Sequence, residues 1–464
     1  MEIFGVILSL IGLMYFAYRG VNVLVLAPIM AIIATLFHTD APLMGSYTQV
    51  FMPALGGYLL KYFPIFLLGS IFGRLMSDSG QADKIAHYIA EKLGAQRAIL
   101  AVVLACALLT YGGVSLFVVA FCIYPIAVSL FKEGNIPEKF IPASIALGSF
   151  TFTMTALPGT PSIQNAIPMP FFQTTAFAAP GLGLLGGALM AVGGYLWLMR
   201  RASKAKKDGI GFGHFYVIED KVEQAKSDVK VHEFFKAILP LLLVISLNYL
   251  FSKFLFPELD LSYLAKKQFG EIKPQAVIGL WSLISALTVA TIVLYLLNIK
   301  NFKSALLSFN EGTMKSLLPI FNTASEVGYG ATIASLASFS IIKDSVLSIA
   351  PNYPLVSEAV SINVLAGITG SASGGLSIAL KALAENYLAM AQTVGLSPEL
   401  LHRVASMSCG GFDTLPHNGA VITLLTICGL GHKQSYFDIG IVAVVVPFLS
   451  TTVVIILGTL VGSF

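Results

Sequence analysis

Charge is what this 464-residue chain has least of: Asp, Glu, Lys and Arg together make up 11% of it, against roughly 25% in a soluble domain. Hydrophobic residues make up 56%, and the mean hydropathy is +0.82. A soluble core could absorb that apolar mass only by leaving large apolar patches in water, which soluble proteins avoid. The shortage of charge therefore excludes soluble enzymes and nucleic-acid binders and leaves a polytopic membrane protein. Cysteine is scarce as well. Cys106, Cys122, Cys409 and Cys428 all fall in apolar stretches with no C-x-x-C spacing. They are expected to be small buried hydrophobes, with neither a metal site nor a disulfide, and no cofactor is called for. The start, Met1-Glu2-Ile3, lacks a positive n-region and a cleavage site, and reads as the beginning of a retained span. The net charge of +4 points to no acidic partner.

What the chain has in quantity is long apolar runs, and about 20 apolar residues cross a bilayer. Residues 1–37 read as two helices hinged at Arg19-Gly20, and a third covers 54–76. Residues 78–94 are too charged to span and read as an amphipathic segment along the interface. The block 98–131 is interrupted at Tyr111-Gly112-Gly113, and 140–175 at Leu157-Pro158-Gly159-Thr160-Pro161. A span at 180–199 and a charged linker at 200–236 follow. The second half repeats the order, with spans at 237–252, 276–297 and 316–338 and a mixed stretch at 339–358. Interrupted blocks at 360–390 and 401–430 and a last span at 437–462 complete it. The expected total is ten crossing helices plus two re-entrant hairpins, 98–131 and 360–390.

Pro64-Ile65-Phe66 recurs as Pro319-Ile320-Phe321, and Pro161 recurs as Pro416, both at an offset of 255. Orientation follows from Lys and Arg placement. With the N-terminus outside, inside segments hold 20 of the 28 basic residues, including nine in the 200–236 linker, and outside segments hold seven. Each half then crosses five times, so the second half enters from the opposite side and the repeat is inverted. Both termini are expected outside and the linker in the cytoplasm, with Arg74 reaching to the cytoplasmic headgroups.

Interrupted helices survive at membrane depth only where protein or a wet cavity satisfies their backbone. Interruptions at corresponding places of inverted halves are the architecture of secondary transporters. Half-helix N-termini offer free N–H groups and partial positive charge, which suits a carboxylate. The polar residues near the breaks are Thr110, Tyr111 and Ser115, then Thr160, Ser162, Gln164 and Asn165. The second half adds Thr369, Ser371, Ser373, Asp413, Thr414, His417 and Asn418. With Gly112 and Gly113 these are the expected substrate-binding set, apart from Thr110, Tyr111, Asp413 and His417. No Lys or Arg stands among them, which favours a small hydroxylated monoanion over a di- or trivalent acid. The alternative for any one Ser or Thr is helix back-bonding or interhelical packing. Asp413, His417 and Glu326 are the ionisable residues expected to carry a coupling proton. Their structural alternatives are a helix cap for Asp413, one hydrogen bond for His417 and pairing within the scaffold for Glu326.

The run Leu67-Leu68-Gly69-Ser70-Ile71-Phe72-Gly73-Arg74-Leu75-Met76-Ser77-Asp78-Ser79-Gly80, followed by Ala82 and Lys84-Ile85-Ala86, resembles the glycine-punctuated helix and D-S-G-x-A-x-x-I-A pattern of the gluconate permease (GntP) family of the ion transporter superfamily. Thr369-Gly370-Ser371-Ala372-Ser373 resembles its second-hairpin motif, and Gly159-Thr160-Pro161 the unwound loop of the related divalent-anion symporters. The resemblance implies proton symport of gluconate-like hydroxy acids, in a scaffold-and-transport-domain fold with elevator motion, commonly as a homodimer in the inner membrane. Asp413-Thr414-Leu415-Pro416-His417-Asn418-Gly419 looks most like the 3-hydroxybutyrate branch. The first hairpin, Tyr111-Gly112-Gly113-Val114-Ser115, lacks the Ser-Asn-Thr tip of the divalent-anion symporters. Their sodium sites therefore do not carry over, and proton and sodium coupling both stay open. A sodium-coupled carrier or a sodium/proton antiporter is the first rival reading and a passive channel another. An intramembrane serine hydrolase using Ser373 with His402 or His417 is remote, because the first glycine of G-x-S-x-G is missing.

Overall fold

The computed structural model describes residues 2–19, 21–213, 229–301, 305–350, 352–416 and 418–464. Every regular element among them is helical. Helices α1 (Glu2–Tyr18) and α2 (Val23–Leu36) confirm the paired start, and Asn22 caps α2 by accepting from the Leu24 N–H at 2.9 Å. Helix α3 (Leu43–Asp78) is longer than the expected third span. It passes through Ser79 to Gly80, whose φ of 71° lies in the left-handed region that glycine tolerates. That residue turns the chain into α4 (Gln81–Leu93), and the bend between α4 and α5 (Ala98–Tyr111) is 102°. The D-S-G run is thus the corner between a long helix and a short amphipathic one.

The first hairpin closes with α6 (Leu116–Glu133). The next block is more broken than its sequence suggests, because its prolines, its threonines and Gly159 leave only short helical pieces: α7 (Ile141–Ser149), α8 (Phe152–Thr155), α9 (Ile163–Ala166) and α10 (Pro168–Phe172). Helices α11 (Pro180–Lys207) and α12 (Val231–Glu258) extend into both ends of the linker, whose residues 214–228 lie outside the described set. Then come α13 (Gln275–Asn298), α14 (Ala305–Ser335), α15 (Phe339–Ile349), α16 (Pro354–Thr369) and α17 (Ala372–Thr393). Helices α18 (Pro398–Ser408), α19 (Gly419–Ile427) and α20 (His432–Val461) finish the chain.

Five helices, α3, α11, α12, α13 and α20, are each long and apolar enough to cross a membrane, or six if the bent α4–α5 pair is one span. The expected ten exceeds this. Helices α1, α2 and α16 are apolar but shorter, and α14 carries Asn310, Glu311, Lys315, Asn322 and Glu326 along its length.

Helix α3 packs along α14, and both contain an internal proline, Pro64 and Pro319. Their contact is close: a Cβ on Gly312 would lie 2.8 Å from the Ile71 Cα. It is locked at one end by Arg74. Its Nε lies 2.8 Å from Asp78 Oδ2 and its Nη2 lies 2.7 Å from Glu311 Oε2. The Ser308 hydroxyl donates to Asp78 Oδ2 at 2.6 Å. Arg74 therefore joins two helices instead of reaching to headgroups, because α14 presents a carboxylate within the span of its side chain. Asp78→Ala should cost about 1–2 kcal/mol, a partly exposed pair being worth little beyond the hydrogen bond it carries. The check is the unfolding temperature of the purified protein, with Ser308→Ala giving a smaller drop.

Candidate functional site

The interrupted segments of the two halves meet. A Cβ on Gly410, in the second break, would lie 2.4 Å from Thr155 Cγ2 in the first. Each break is also tied to its hairpin. The Tyr111 hydroxyl donates to the Pro158 carbonyl at 2.7 Å, and a Cβ on Gly113, whose φ is 98°, would lie 3.0 Å from Pro161 Cγ. In the second half, Asn418 Nδ2 donates to the Gly370 carbonyl at 2.9 Å while its Oδ1 caps α19 through the Val421 N–H at 2.9 Å.

Asn165 is the centre of the first break. Its Nδ2 donates to the carbonyls of Thr160 at 3.1 Å and Ala176 at 3.0 Å. Its Oδ1 lies 3.1 Å from His402 Nε2 and accepts from Arg403 Nη1 at 3.3 Å. An amide oxygen only accepts, so Nε2 carries the imidazole proton, and Nδ1 takes the Thr174 hydroxyl at 2.6 Å. Arg403 is fully buried. Its Nε donates to Ala178 O, Nη2 to Ala178 O and Ala176 O, and Nη1 to Thr155 O and Asn165 Oδ1. All five guanidinium N–H groups are thereby used on the unwound segment. The sequence reading took the breaks as free of Lys and Arg, and this is its main correction. The signal was present: an arginine next to His402, inside a block read as membrane-embedded.

The other nominated residues divide by what they touch. Ser162 donates to the Met154 carbonyl, and Thr160 is fully buried beside it. Thr369 bonds back to the Leu365 carbonyl at 2.9 Å, and Thr414 donates to the carbonyls of Gly411 and Ala443, each at 2.9 Å. Both hydroxyls thus donate to carbonyls of the protein, as the packing alternative has it, and keep their acceptor lone pairs. Gly112 abuts Leu241, and Ser115 precedes the first turn of α6. Five buried side-chain atoms with no hydrogen-bond partner lie at the breaks and hairpins, Thr110 Oγ1, Gln164 Oε1, Asn363 Oδ1, Ser408 Oγ and Asp413 Oδ1, among others elsewhere in the described residues. His417 lies outside the described residues.

Glu326 of α14 is 3% exposed and faces the tip of the second hairpin. Its carboxyl interacts with Ser371, and a Cβ on Gly374 would lie 1.8 Å from Oε2. Ser371 caps α17, accepting from the Gly374 N–H at 3.1 Å, and the Ser373 and Thr323 hydroxyls lie 3.2 Å apart. Tyr58 of α3 approaches from the other side, toward Thr323, Ser377 and Glu326. Ser373 and His402 therefore engage different partners and form no nucleophile–base pair. A further buried carboxyl, Glu358 of α16, was not singled out in the sequence.

A profile of GntP family permeases matches residues 1–246. The chain is 44% identical over 452 residues to the uncharacterized transporter YxjC of Bacillus subtilis (strain 168), a match that covers 95% of both chains. The chain belongs to the GntP permease family. The permease is thus a transporter, and the hydrolase reading falls. Among solved structures, it is similar to the YdaH transporter of Alcanivorax borkumensis, with a TM-score of 0.56 and 14% identity over 87% of each chain. Its likeness to Neisseria gonorrhoeae MtrF, described as illuminating a class of antimetabolite efflux pumps, has a TM-score of 0.53. There the identity is 12%, over 95% of this chain and 94% of that one. These two likenesses bear on the fold of the permease alone.

Proposed function

We propose that this permease takes up a small hydroxy-monocarboxylate of the gluconate or 3-hydroxybutyrate type, by symport with a proton, across the inner membrane. The observation that carries the reading is the meeting of the interrupted segments. Buried polar atoms there lack partners in the protein, and in native structures such atoms ask for water or a ligand. Hydroxyls, amides and half-helix N–H groups line the region, as a hydroxylated anion requires. Arg403 adds positive potential but keeps its N–H groups on carbonyls, which fits a monoanion better than a dianion.

On this reading residues 1–199 and 237–464 are inverted repeats joined by the 200–236 linker, which lies in the cytoplasm with both termini outside. The hairpins and breaks form the transport domain of an elevator that moves against a scaffold, and the carrier is a homodimer in the lipid bilayer. Glu326, Asp413 and His417 are the groups through which a proton couples.

The test is uptake of labelled 3-hydroxybutyrate and gluconate into sodium-free proteoliposomes with an inward proton gradient. Concentrative uptake abolished by a protonophore is the expected result. Uptake that appears only with sodium would replace the proton by sodium at the hydroxyls and carbonyls of the breaks. Uptake of neither acid under either condition would sink the substrate assignment, and sodium-dependent proton flux without organic acid would favour an antiporter.

A further inference from the structure

Helix α17 runs 22 residues from the second hairpin tip, and the first turn of any helix leaves N–H groups without intrahelical partners. Such a turn attracts an anion. Here the side chain aimed into it is Glu326, which belongs to a different helix. It is almost wholly buried, its Oε2 has no hydrogen-bond partner, and it lies where a Cβ of Gly374, the third residue of α17, would be. Only a glycine leaves room for a carboxyl group that close to the helix backbone. The surroundings are hydroxyls: Ser371 at the cap of α17, Ser373 and Ser377 on it, and Thr323 one turn before Glu326. On the α2 side the contact is the Ser325 hydroxyl donating to the Leu24 carbonyl, and on the α1 side Tyr329 meets Ser9. Tyr58 of α3 is the titratable group that interacts with Glu326, and no Lys, Arg or His pairs with it among the described residues. A carboxylate in this place has the hairpin's N–H groups and hydroxyls for company and no cation.

We propose that the Glu326 carboxylate and the substrate carboxylate compete for one position, the N-terminal turn of α17, so that the anion binds after Glu326 has taken up a proton and given up that place. The inference rests on the hydroxy-acid reading and supplies its coupling step. A proton from the outer solution converts the Glu326 carboxylate to the neutral acid, which leaves the turn, and the substrate carboxylate replaces it. After reorientation the substrate departs inward, and Glu326 releases the proton to the cytoplasm and returns to the turn. One proton moves with one monoanion, and no net charge crosses. The hairpin hydroxyls then face the hydroxyl groups of the substrate.

The test compares wild type with Glu326→Gln and Glu358→Gln in proteoliposomes, using labelled 3-hydroxybutyrate and gluconate. For the wild type, apparent affinity should fall about tenfold per pH unit above the titration of Glu326, because one proton must bind for each anion. In Glu326→Gln the pH dependence should flatten and accumulation up a proton gradient should vanish. Exchange of internal for external substrate, which needs no net proton movement, should persist. Glu358→Gln should keep the wild-type pH dependence. A wild-type profile in Glu326→Gln, or loss of the profile in Glu358→Gln alone, overturns the inference while leaving the hydroxy-acid reading intact. Uptake of neither acid by the wild type overturns both. Should Glu326→Gln fail to fold, wild-type protein in weak buffer decides: about one proton taken up per substrate bound supports the exchange, and none overturns it.

Discussion

Replacing Arg403 with glutamine should abolish uptake and leave a protein that unfolds well below the wild type. The five guanidinium N–H groups hold the carbonyls of Thr155, Ala176 and Ala178 and the amide oxygen of Asn165, all within the interrupted segment on either side of Gly159. That stretch has little backbone pairing of its own; the Gly159 N–H bond to the Ala176 carbonyl at 2.8 Å is one of few across it. Each acceptor left buried and unpaired costs about 1–3 kcal/mol. With glutamine able to serve part of the set, the expected loss is roughly 3–5 kcal/mol, comparable to breaking a buried charged network. Arg403→Lys keeps the charge but replaces a planar fork by a point, so it should recover only part of the stability. Size-exclusion profile and thermal unfolding in detergent measure the stability, and proteoliposome uptake the activity. Wild-type behaviour of Arg403→Gln would show that the unwound segment is held by something else.

The second large effect belongs to Gly375. A Cβ there would lie 2.2 Å from the Ala366 N, 2.3 Å from its Cα and 2.7 Å from the Leu365 carbonyl carbon. All three are backbone atoms of α16, so no side chain can turn aside, and Gly375→Val must push the two legs of the second hairpin apart. Overpacking of this kind costs about 1–3 kcal/mol. The functional loss should be larger than the loss of stability, because the same legs carry Ser371, which caps α17 against Glu326, and Gly370, which accepts from Asn418. Gly56→Ala in α3 is the control: nothing lies within 4 Å of the added methyl, and alanine is the better helix former. Equal behaviour of the two variants would contradict the close packing of the hairpin.

Much of this architecture was legible because it is written in local chemistry. Apolar runs marked the long helices, and the clusters at Pro158-Gly159-Thr160-Pro161 and Gly410–Gly419 marked the breaks. The D-S-G run marked a corner that Gly80 makes by its left-handed backbone. What could not be read was pairing between distant elements. Arg403 touches residues more than 200 positions earlier in the chain, and no periodicity links it to Asn165. Arg74 was assigned to the lipid surface because Glu311 lies far along the sequence. The sequence counted 316–338 among the spans, whereas the polar residues of α14 keep it out of the five helices that are apolar enough by composition to cross. The hydroxyls show the converse. Thr369 and Thr414 stand beside the interruptions, and their hydroxyls donate to nearby carbonyls.

The most direct test of the account is a structure of the purified permease in lipid nanodiscs at saturating 3-hydroxybutyrate or gluconate. Bound acid is expected where the interrupted segments and the second hairpin tip come together, with its carboxylate at the first turn of α17 beside Ser371 and Ser373 and the Glu326 side chain displaced from Gly374. Acid bound away from both breaks and the α17 turn, or no bound acid in a well-folded protein, would contradict it.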